Sequence, residues 1–507
     1  MSNTSLIPQL PAELFAAILE QVPQVDLQHT TAALIRALPR SPVPRYFLFL
    51  HIRLKTAEKV VQFGRYLRTY KEDAKLVNKF SLEAWTVDAN VAVNLILQLP
   101  NLEWLSLFVG PNFAPEHLEE LFEKPMIGLK FLSLRFRPYV QKATYYQFLK
   151  GAYFDSSLLA LSRWPAADMP SLSIMQDPLD PSIAPTRFAQ PLVFFRLDPL
   201  ATLGTSELLE NVTNYRIRIP ARQISRYIGS SAASTPAVDF LDLSTCSMSD
   251  GDVVKLVQRF SGLRHLVVDK CNIVHSDAQS GDWATFGRAL AMTGVQRQKE
   301  REKQLRQWLT AMDDGAANAP PIPVVARPRA KKGRKGLATA TISLRDKTQA
   351  PAPLPVPPRQ GPSSHSRSRA RILPPTPTIR TVSTTTPMHV SPTEHDAIRA
   401  EFARGWGAGL LILSSIRRRL RQSARNGMHM VRFATIDDDE FSLSEQGFDG
   451  LVDVVDQSDR EFGEVDPEMD EGQVPLLCLA GPGEREGYEH LEQCGHKVGW
   501  NIWEDKL

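Results

Sequence analysis

Four side chains near the C-terminus are of the types that bind zinc. His490, Cys494 and His496 lie close together in the sequence, and Cys478 lies upstream of them. Imidazole nitrogens and thiolate sulfurs are the ligands that a tetrahedral Zn²⁺ ion takes in proteins. Structural zinc sites usually carry two close ligand pairs, whereas this set has one irregular cluster in a segment that we expect to be a tail. The spacing therefore does not favour a metal site, and we assign no metal ligand.

The sequence carries no catalytic motif that we recognise. It has no Gly-rich phosphate loop ending in Lys-Ser/Thr, no His-Glu-x-x-His and no Gly-x-Ser-x-Gly. Gly405, Gly407 and Gly409 alternate with other residues, but they lack the flanking strand and the spacing of a dinucleotide-binding turn. Cys246 and Cys271 occupy positions that core packing already explains. We therefore predict no catalytic residue, no cofactor and no enzymatic activity.

Composition limits the compartment and the partners. The 507 residues carry a formal net charge of +3, and this near balance gives no support for a polyanionic partner such as a nucleic acid. Four cysteines in so long a chain form no disulfide framework, which suits a reducing compartment. We find neither a signal peptide nor an apolar run of about 18 residues. We expect an intracellular protein, cytoplasmic or nuclear, without a transmembrane segment.

The N-terminal stretch predicts a short amphipathic helix. Leu14, Ile18 and Val22 are spaced i, i+4 and i+8, and Phe15 and Leu19 follow one position behind the first two. A helix of about three turns is not stable alone in water, so this apolar surface must pack on its own chain or on another protein.

At these residues the chain resembles the F-box, the helical module that docks a substrate receptor onto the adaptor of a cullin-type (SCF) ubiquitin ligase. Leu10-Pro11, Glu13-Leu14, Ile18-Leu19 and Val22-Pro23 follow the order of that motif. The resemblance implies an F-box-like helical module over residues 6–45 that binds a Skp-type adaptor. The adaptor-binding residues that it implies are Leu10, Pro11, Leu14, Ile18, Leu19 and Val22. The alternative is an ordinary amphipathic helix that caps a larger domain.

A recurring pattern follows, in which apolar residues are arranged as apolar-x-x-apolar-x-apolar. Its first positions are spaced 20 to 27 residues apart within two runs, which is typical of leucine-rich repeats. The register is lost between about Tyr139 and Pro191, where prolines indicate a loop-rich insertion. Together the two resemblances suggest the F-box/leucine-rich-repeat proteins, in particular the divergent fungal type. The units begin at Val77, Leu102, Leu129, Leu192, Val212, Val238 and Leu263.

The remaining chain changes character several times. We expect an α/β fold with a degenerate repeat domain over 46–275, a helical extension over 276–312 and a disordered, basic Pro/Ser/Arg-rich linker over 313–393. A basic amphipathic helix over 394–425 and an acidic, largely disordered tail over 426–507 complete the chain. The cluster Lys331–Lys335 is either a nuclear import signal or simply part of a soluble basic linker.

The resemblance to F-box/leucine-rich-repeat proteins implies a non-enzymatic substrate receptor of an SCF-type ubiquitin ligase. Its partners would be a Skp-type adaptor at the N-terminal helices and an unknown protein substrate on the repeats, with no specific nucleic acid. The alternative is a leucine-rich-repeat scaffold without a ubiquitin role, in which the N-terminal helix is a solenoid cap.

Overall fold

The computed structural model describes residues 10–137, 153–166, 168–178, 192–228, 237–271, 273, 281–316, 370–386, 392–426, 428–434, 450–454, 473–484 and 489–505. These residues form two compact units. Unit 1 comprises Met1–Arg297, Thr376–Ser415 and Phe462–Leu507, and unit 2 comprises Gln298–Pro375 and Ile416–Glu461. Among the described residues, no helix is long and apolar enough to cross a membrane.

Unit 1 is built on one ten-stranded sheet in which every pair of neighbouring strands is parallel. The spatial order is β1 to β8, then β10, then β13. The strands are β1 (His51–Leu54), β2 (Lys79–Leu82), β3 (Trp104–Val109), β4 (Phe131–Phe136), β5 (Ser171–Gln176), β6 (Asn214–Arg218), β7 (Phe240–Asp242), β8 (His265–Val267), β10 (Thr381–Ser383) and β13 (Leu476–Cys478).

This sheet corrects the predicted architecture. The α/β class is confirmed, but an F-box-like module followed by a leucine-rich-repeat solenoid and a disordered tail is wrong. A single all-parallel sheet alternates with helices instead, and its last two strands, β10 and β13, come from the segments that composition assigned to the linker and the tail. Short strands carry little local signal, because their backbone hydrogen bonds are made with neighbours that are distant in sequence.

The strand pattern also needs one correction within the sheet. The unit expected at Leu192 forms no strand, and Phe195 is half exposed there. The fifth strand is β5 (Ser171–Gln176), inside the segment expected to be a loop-rich insertion. Leu172 and Ile174 alternate with polar residues and are buried, which is the period of a strand.

Helices connect the strands and cover one face of the sheet. Local chemistry fixes their ends: Thr56 caps the third helix by accepting from the Lys59 amide, and Ser249 forms a capping box with Asp252. Among the described residues, the helices are α1 (Ala12–Glu20), α2 (Gln24–Ala37), α3 (Ala57–Thr69), α4 (Ala89–Ile96), α5 (Pro115–Phe122), α6 (Asp155–Leu161), α7 (Asp198–Leu203), α8 (Ser225–Ile228), α9 (Asp250–Arg259), α10 (Asp282–Ala291), α11 (Thr293–Ala316), α12 (Pro392–Arg425) and α13 (Gly495–Trp503).

The two faces of the sheet have different chemistry. One row of paired positions is entirely apolar and buried in the core: Leu54, Leu82, Leu107, Leu134, Ile174 and Ile217. The neighbouring row points to the opposite face because side chains alternate along a strand. That row is mainly polar and runs Ser81, Ser106, Ser133, Ser173, Arg216, Asp242, Val267, Ser383 and Cys478. We call this second side the polar face.

Helix α13 lies against the polar face. A Cβ atom added to Gly495 would fall 2.9 Å from the Ser383 Oγ, and one added to Gly499 would fall 2.9 Å from the Phe240 ring. These two glycines therefore let the helix backbone approach the strands closely. Trp503, at the end of the helix, is buried in a small apolar cluster with Phe240 and other side chains of the polar face.

Unit 2 is smaller and has its own sheet and core. Strands β9 (Arg371–Ile372), β11 (Met430–Phe433) and β12 (Leu451–Asp453) are ordered β12-β11-β9. Leu305, Ile372, Val431 and Leu451 form its core. Glu302 is buried beside this core, where its carboxylate pairs with Arg371 at 3.0 Å and accepts from the Ile372 amide.

Candidate docking surface and candidate metal centre

The N-terminal module, residues 10–50, has an apolar cluster of its own. Phe15 and Leu19 of α1 are buried, and they pack with Val43 and Phe47 and with half-buried side chains of α2. This cluster is separate from the main core between the sheet and its helices. The module therefore has an inner side that holds α1 and α2 together. Phe15 and Leu19, part of the predicted apolar surface of α1, are buried on this side.

The outer side of α1 remains apolar and uncovered. Leu14 is 49% exposed and Ile18 is 51% exposed, one helical turn apart. We call this pair the Leu14–Ile18 ridge. Complete burial of a large aliphatic side chain stabilises a protein or a complex by about 1.5–3 kcal/mol. Two half-exposed side chains therefore leave about the same free energy in total to be gained when a partner covers them.

The structure thus divides the six residues that the sequence predicts for adaptor binding. Pro11 is exposed at the N-cap of α1, and Leu10 and Val22 are half-buried against the apolar cluster of the module. Leu19 is completely buried, so it supports the module from inside and presents no surface. Binding of an adaptor at the ridge remains a prediction.

The four candidate zinc ligands, by contrast, meet in space. Cys478 ends strand β13, His490 precedes α13, Cys494 is the N-cap of α13, and His496 lies in its first turn. One ligand atom from each residue lies within 4.8 Å of the other three. Cys478, Cys494 and His496 are buried, and His490 is half-buried. We call these residues the Cys₂His₂ cluster.

The hydrogen bonds around the two histidines orient their rings. His490 Nε2 lies 2.8 Å from the Gly483 carbonyl oxygen, which can only accept, so this nitrogen carries the proton. The other nitrogen, Nδ1, then has a free lone pair and lies 3.7 Å from both Cys478 Sγ and Cys494 Sγ. His496 Nε2 lies 2.9 Å from the Asp269 carboxylate, and its Nδ1 has no hydrogen-bond partner among the described residues.

The charges near the cluster shift two pKa values. A hydrogen bond from Cys478 lowers the pKa of the Cys494 thiol to about 7 against the effect of burial, and the Lys497 and His496 amides at the start of α13 contribute. Burial alone would lower the pKa of His496, but the Asp269 carboxylate outweighs it and raises that pKa to about 10. The cluster therefore favours a thiolate near neutral pH.

The two cysteines of the repeat pattern are different. Cys246 and Cys271 are buried in the main core, as the sequence predicts for packing residues. Burial raises the pKa of the Cys246 thiol to about 12, so this thiol stays protonated and unreactive at neutral pH.

The sequence shows four side chains of types that can bind metals, but it does not show that they converge in space. Cys478 was the obstacle, since it lies twelve residues before His490. The run from Val474 to Ala480 is apolar and is followed by Gly481, which is typical of a short buried strand. A strand predicted in this run would have placed Cys478 near a strand end, where its side chain can contact a neighbouring helix.

Two charged pairs lie on the polar face near α13. Arg216 is 1% exposed, and its guanidinium forms two hydrogen bonds to the Asp505 carboxylate, at 2.8 and 2.9 Å. The Trp503 ring lies over the same guanidinium, 4.5 Å from ring centroid to Cζ. On the same strand, β6, Arg218 pairs with Asp242 of the neighbouring strand β7 at 2.6 Å. The end of α13 is therefore held to the sheet by charge as well as by apolar packing.

The part of the polar face nearest the N-terminal strands stays accessible. A cleft of about 340 Å³ is lined there by side chains of β1 to β5 and by the end of α13. Beside it, the rings of Trp85 and Phe108 pack at a tilt of 32° with centroids 4.6 Å apart, and the Arg135 guanidinium lies 5.1 Å from the Phe108 ring. Partly exposed aromatic and arginine side chains of this kind are frequent at protein–protein interfaces.

Comparison with known proteins supplies no family for this chain. No protein-family model matches it, and no curated protein matches its sequence.

Proposed function

We propose that this chain is a non-enzymatic substrate receptor that docks a Skp-type adaptor of a cullin ubiquitin ligase through the Leu14–Ile18 ridge. The observation that carries the proposal is the division of α1 into two apolar sides. Phe15 and Leu19 already stabilise the module from within, so its fold does not require Leu14 and Ile18 to be apolar. Two large aliphatic side chains in one line on a helix are suited to a hydrophobic groove of a partner.

The receptor would act by proximity. A bound target is held near the ubiquitin-charged enzyme, so that transfer occurs at a raised effective concentration without a catalytic group in this chain. We propose that the accessible part of the polar face around Trp85, Phe108 and Arg135 holds the target. The supporting observation is the close pair of aromatic rings beside a cleft.

Adaptor binding is tested with the double variant Leu14→Asp, Ile18→Asp. Two carboxylates would have to be desolvated in the groove, so we expect the affinity for the Skp-type adaptor to fall by at least about 10- to 100-fold, measured by titration with purified adaptor. The matched control is Leu97→Asp, Ile127→Asp, which changes a 52% exposed leucine and a 92% exposed isoleucine outside the module. The control should bind like the wild type.

Leu19 should not be changed in this experiment, since an aspartate in its buried position would unfold the module and mimic a loss of docking. If wild-type protein with a folded module shows no affinity for the adaptor, the receptor proposal is wrong. The chain would then be better described as a scaffold in which the N-terminal module only covers the end of the sheet.

Target binding is tested separately with Trp85→Ala, Phe108→Ala. This variant should still bind the adaptor and should lose the other proteins that wild-type chain captures from its own cells. The Leu14→Asp, Ile18→Asp variant should show the opposite behaviour, because the ridge and the aromatic pair are different surfaces. Loss of both kinds of partner in either variant would contradict the assignment.

A further inference from the structure

The Cys₂His₂ cluster has the composition and the size of a tetrahedral zinc site. Zinc–sulfur bonds of about 2.3 Å and zinc–nitrogen bonds of about 2.0 Å give ligand–ligand distances of roughly 3.4–3.8 Å around a tetrahedron. The two distances from His490 Nδ1 to the sulfurs are already 3.7 Å. The widest separation within the cluster, 4.8 Å, has to shorten by only about 1 Å.

The surroundings of the cluster are also those of a metal site. A histidine ligand usually donates its other ring N–H to a carbonyl or a carboxylate, which fixes the ring and its tautomer. His490 has the Gly483 carbonyl in that place, and His496 has the Asp269 carboxylate. Both outer contacts leave the Nδ1 atoms for a ligand.

One atom of the cluster is not explained without a ligand. His496 is 3% exposed, and its Nδ1 has no hydrogen-bond partner among the residues that the structure describes. Buried polar atoms are almost always satisfied, because an unsatisfied one loses its hydration without compensation. A cation bound to Nδ1 would satisfy it.

We propose that Cys478, His490, Cys494 and His496 bind one Zn²⁺ ion as a closed, structural site. Two sulfur and two nitrogen ligands suit Zn²⁺ better than magnesium or calcium, which prefer oxygen. Four protein ligands leave no open position for a substrate, so the site has no catalytic role. Each cysteine binds as a thiolate and each histidine as a neutral imidazole, and the protons that these groups lose pass to solvent.

The site joins the last strand of the sheet to the N-terminal end of α13. Cys478 belongs to the last strand of the sheet, which is three residues long, and the other ligands belong to α13 and the turn before it. The ion therefore fixes the strand to the helix on the polar face. We expect removal of zinc to release α13, together with the contact of Asp505 with Arg216.

The test starts from the full wild-type chain, purified under reducing conditions without a chelator. We expect about one zinc ion per chain by elemental analysis. After removal of zinc, titration with Co²⁺ should give the intense visible absorption of a tetrahedral cobalt–thiolate site, and added Zn²⁺ should abolish it. Protein without zinc that also gives no such absorption with Co²⁺ would overturn the proposal. So would a Cys478–Cys494 disulfide in the protein as purified, detected by mass spectrometry.

Variants separate ligands from residues that only stabilise the fold. Cys494→Ser and His490→Ala should lose at least about 100-fold in zinc affinity, whereas His490→Cys should retain a tetrahedral site with three sulfurs. Asp269→Asn should lose about 10- to 100-fold in zinc affinity, since Asp269 orients the ligand His496 without contacting the ion itself. Cys271→Ala changes an equally buried cysteine outside the cluster and should retain zinc. Equal zinc content in Cys271→Ala and Cys494→Ser would contradict the assignment.

Discussion

At the scale of single residues, the buried Arg218–Asp242 pair shows how strongly the polar face depends on charge. Asp242 is 2% exposed, and it accepts from the Arg218 guanidinium and from the backbone and hydroxyl of Ser244. Burial would raise the pKa of Asp242, but Arg218 outweighs it, so this pKa lies below its ordinary value. The carboxylate is therefore a structural anion at neutral pH.

Asp242→Asn should destabilise unit 1 by about 3–5 kcal/mol, because it removes the carboxylate that forms the buried ion pair with Arg218. The measurement is urea unfolding at neutral pH. The control is Asp239→Asn, which removes an exposed pair with Arg264 at 3.4 Å and should cost less than about 1 kcal/mol. Similar losses of unfolding free energy in the two variants would show that the buried pair does not stabilise the fold more than the exposed pair.

The same pair predicts a pH dependence. Because the folded state holds the pKa of Asp242 below 3.8, its contribution is fully present above pH 3.8 and is lost as the pH falls below that value. The difference in unfolding free energy between wild type and Asp242→Asn should therefore shrink on acidification. A difference that stays constant from neutral pH to about pH 2 would contradict the sign of this shift.

At the scale of elements, glycines decide how closely helices pack. Two glycines of α12 face α10: a Cβ atom on Gly405 would overlap the Ala284 carbonyl, and one on Gly409 would fall 2.6 Å from the Ala291 side chain. Gly407, between them, has nothing within 4 Å. The sequence shows only that three glycines weaken a helix. The structure shows that two of them let the backbone of α12 approach α10 closely.

Gly405→Ala and Gly407→Ala should therefore have opposite effects in the same helix. Gly405→Ala should destabilise unit 1 by about 1–3 kcal/mol, because the helix pair has to move apart. Gly407→Ala should stabilise it by up to about 1 kcal/mol through helix propensity alone. Thermal unfolding of the two variants side by side is the measurement, and effects of the same sign would contradict the proposed packing.

At the scale of the whole molecule, unit 1 depends on chain segments far from its first eight strands. Strand β10 pairs with β8 across more than a hundred residues, and β13 pairs with β10 across almost as many. A fragment that ends at residue 275 would leave β8 as an unpaired edge beside an open core. Exposed edges of this kind promote association between chains.

We therefore expect the fragment 1–275 to aggregate or to unfold without a cooperative transition, while the full chain behaves as a folded protein. Size-exclusion chromatography and thermal unfolding by circular dichroism provide the comparison. A monomeric fragment with the unfolding midpoint of the full chain would show that β10, β13 and α13 are accessories.

The sequence by itself determined the α/β class, the positions of most strands and the caps of several helices. Helix α3 spans Ala57–Thr69, and its Thr56 cap and its apolar spacing are properties of neighbouring residues. It also indicated the residue types of the Cys₂His₂ cluster. Only the tertiary structure decided that Leu19 faces inward while Leu14 and Ile18 face outward, and that Cys478 meets His496. Both outcomes depend on contacts between residues that are distant in the chain. The local spacing of apolar residues does not show which of two apolar sides of a helix becomes buried within the protein.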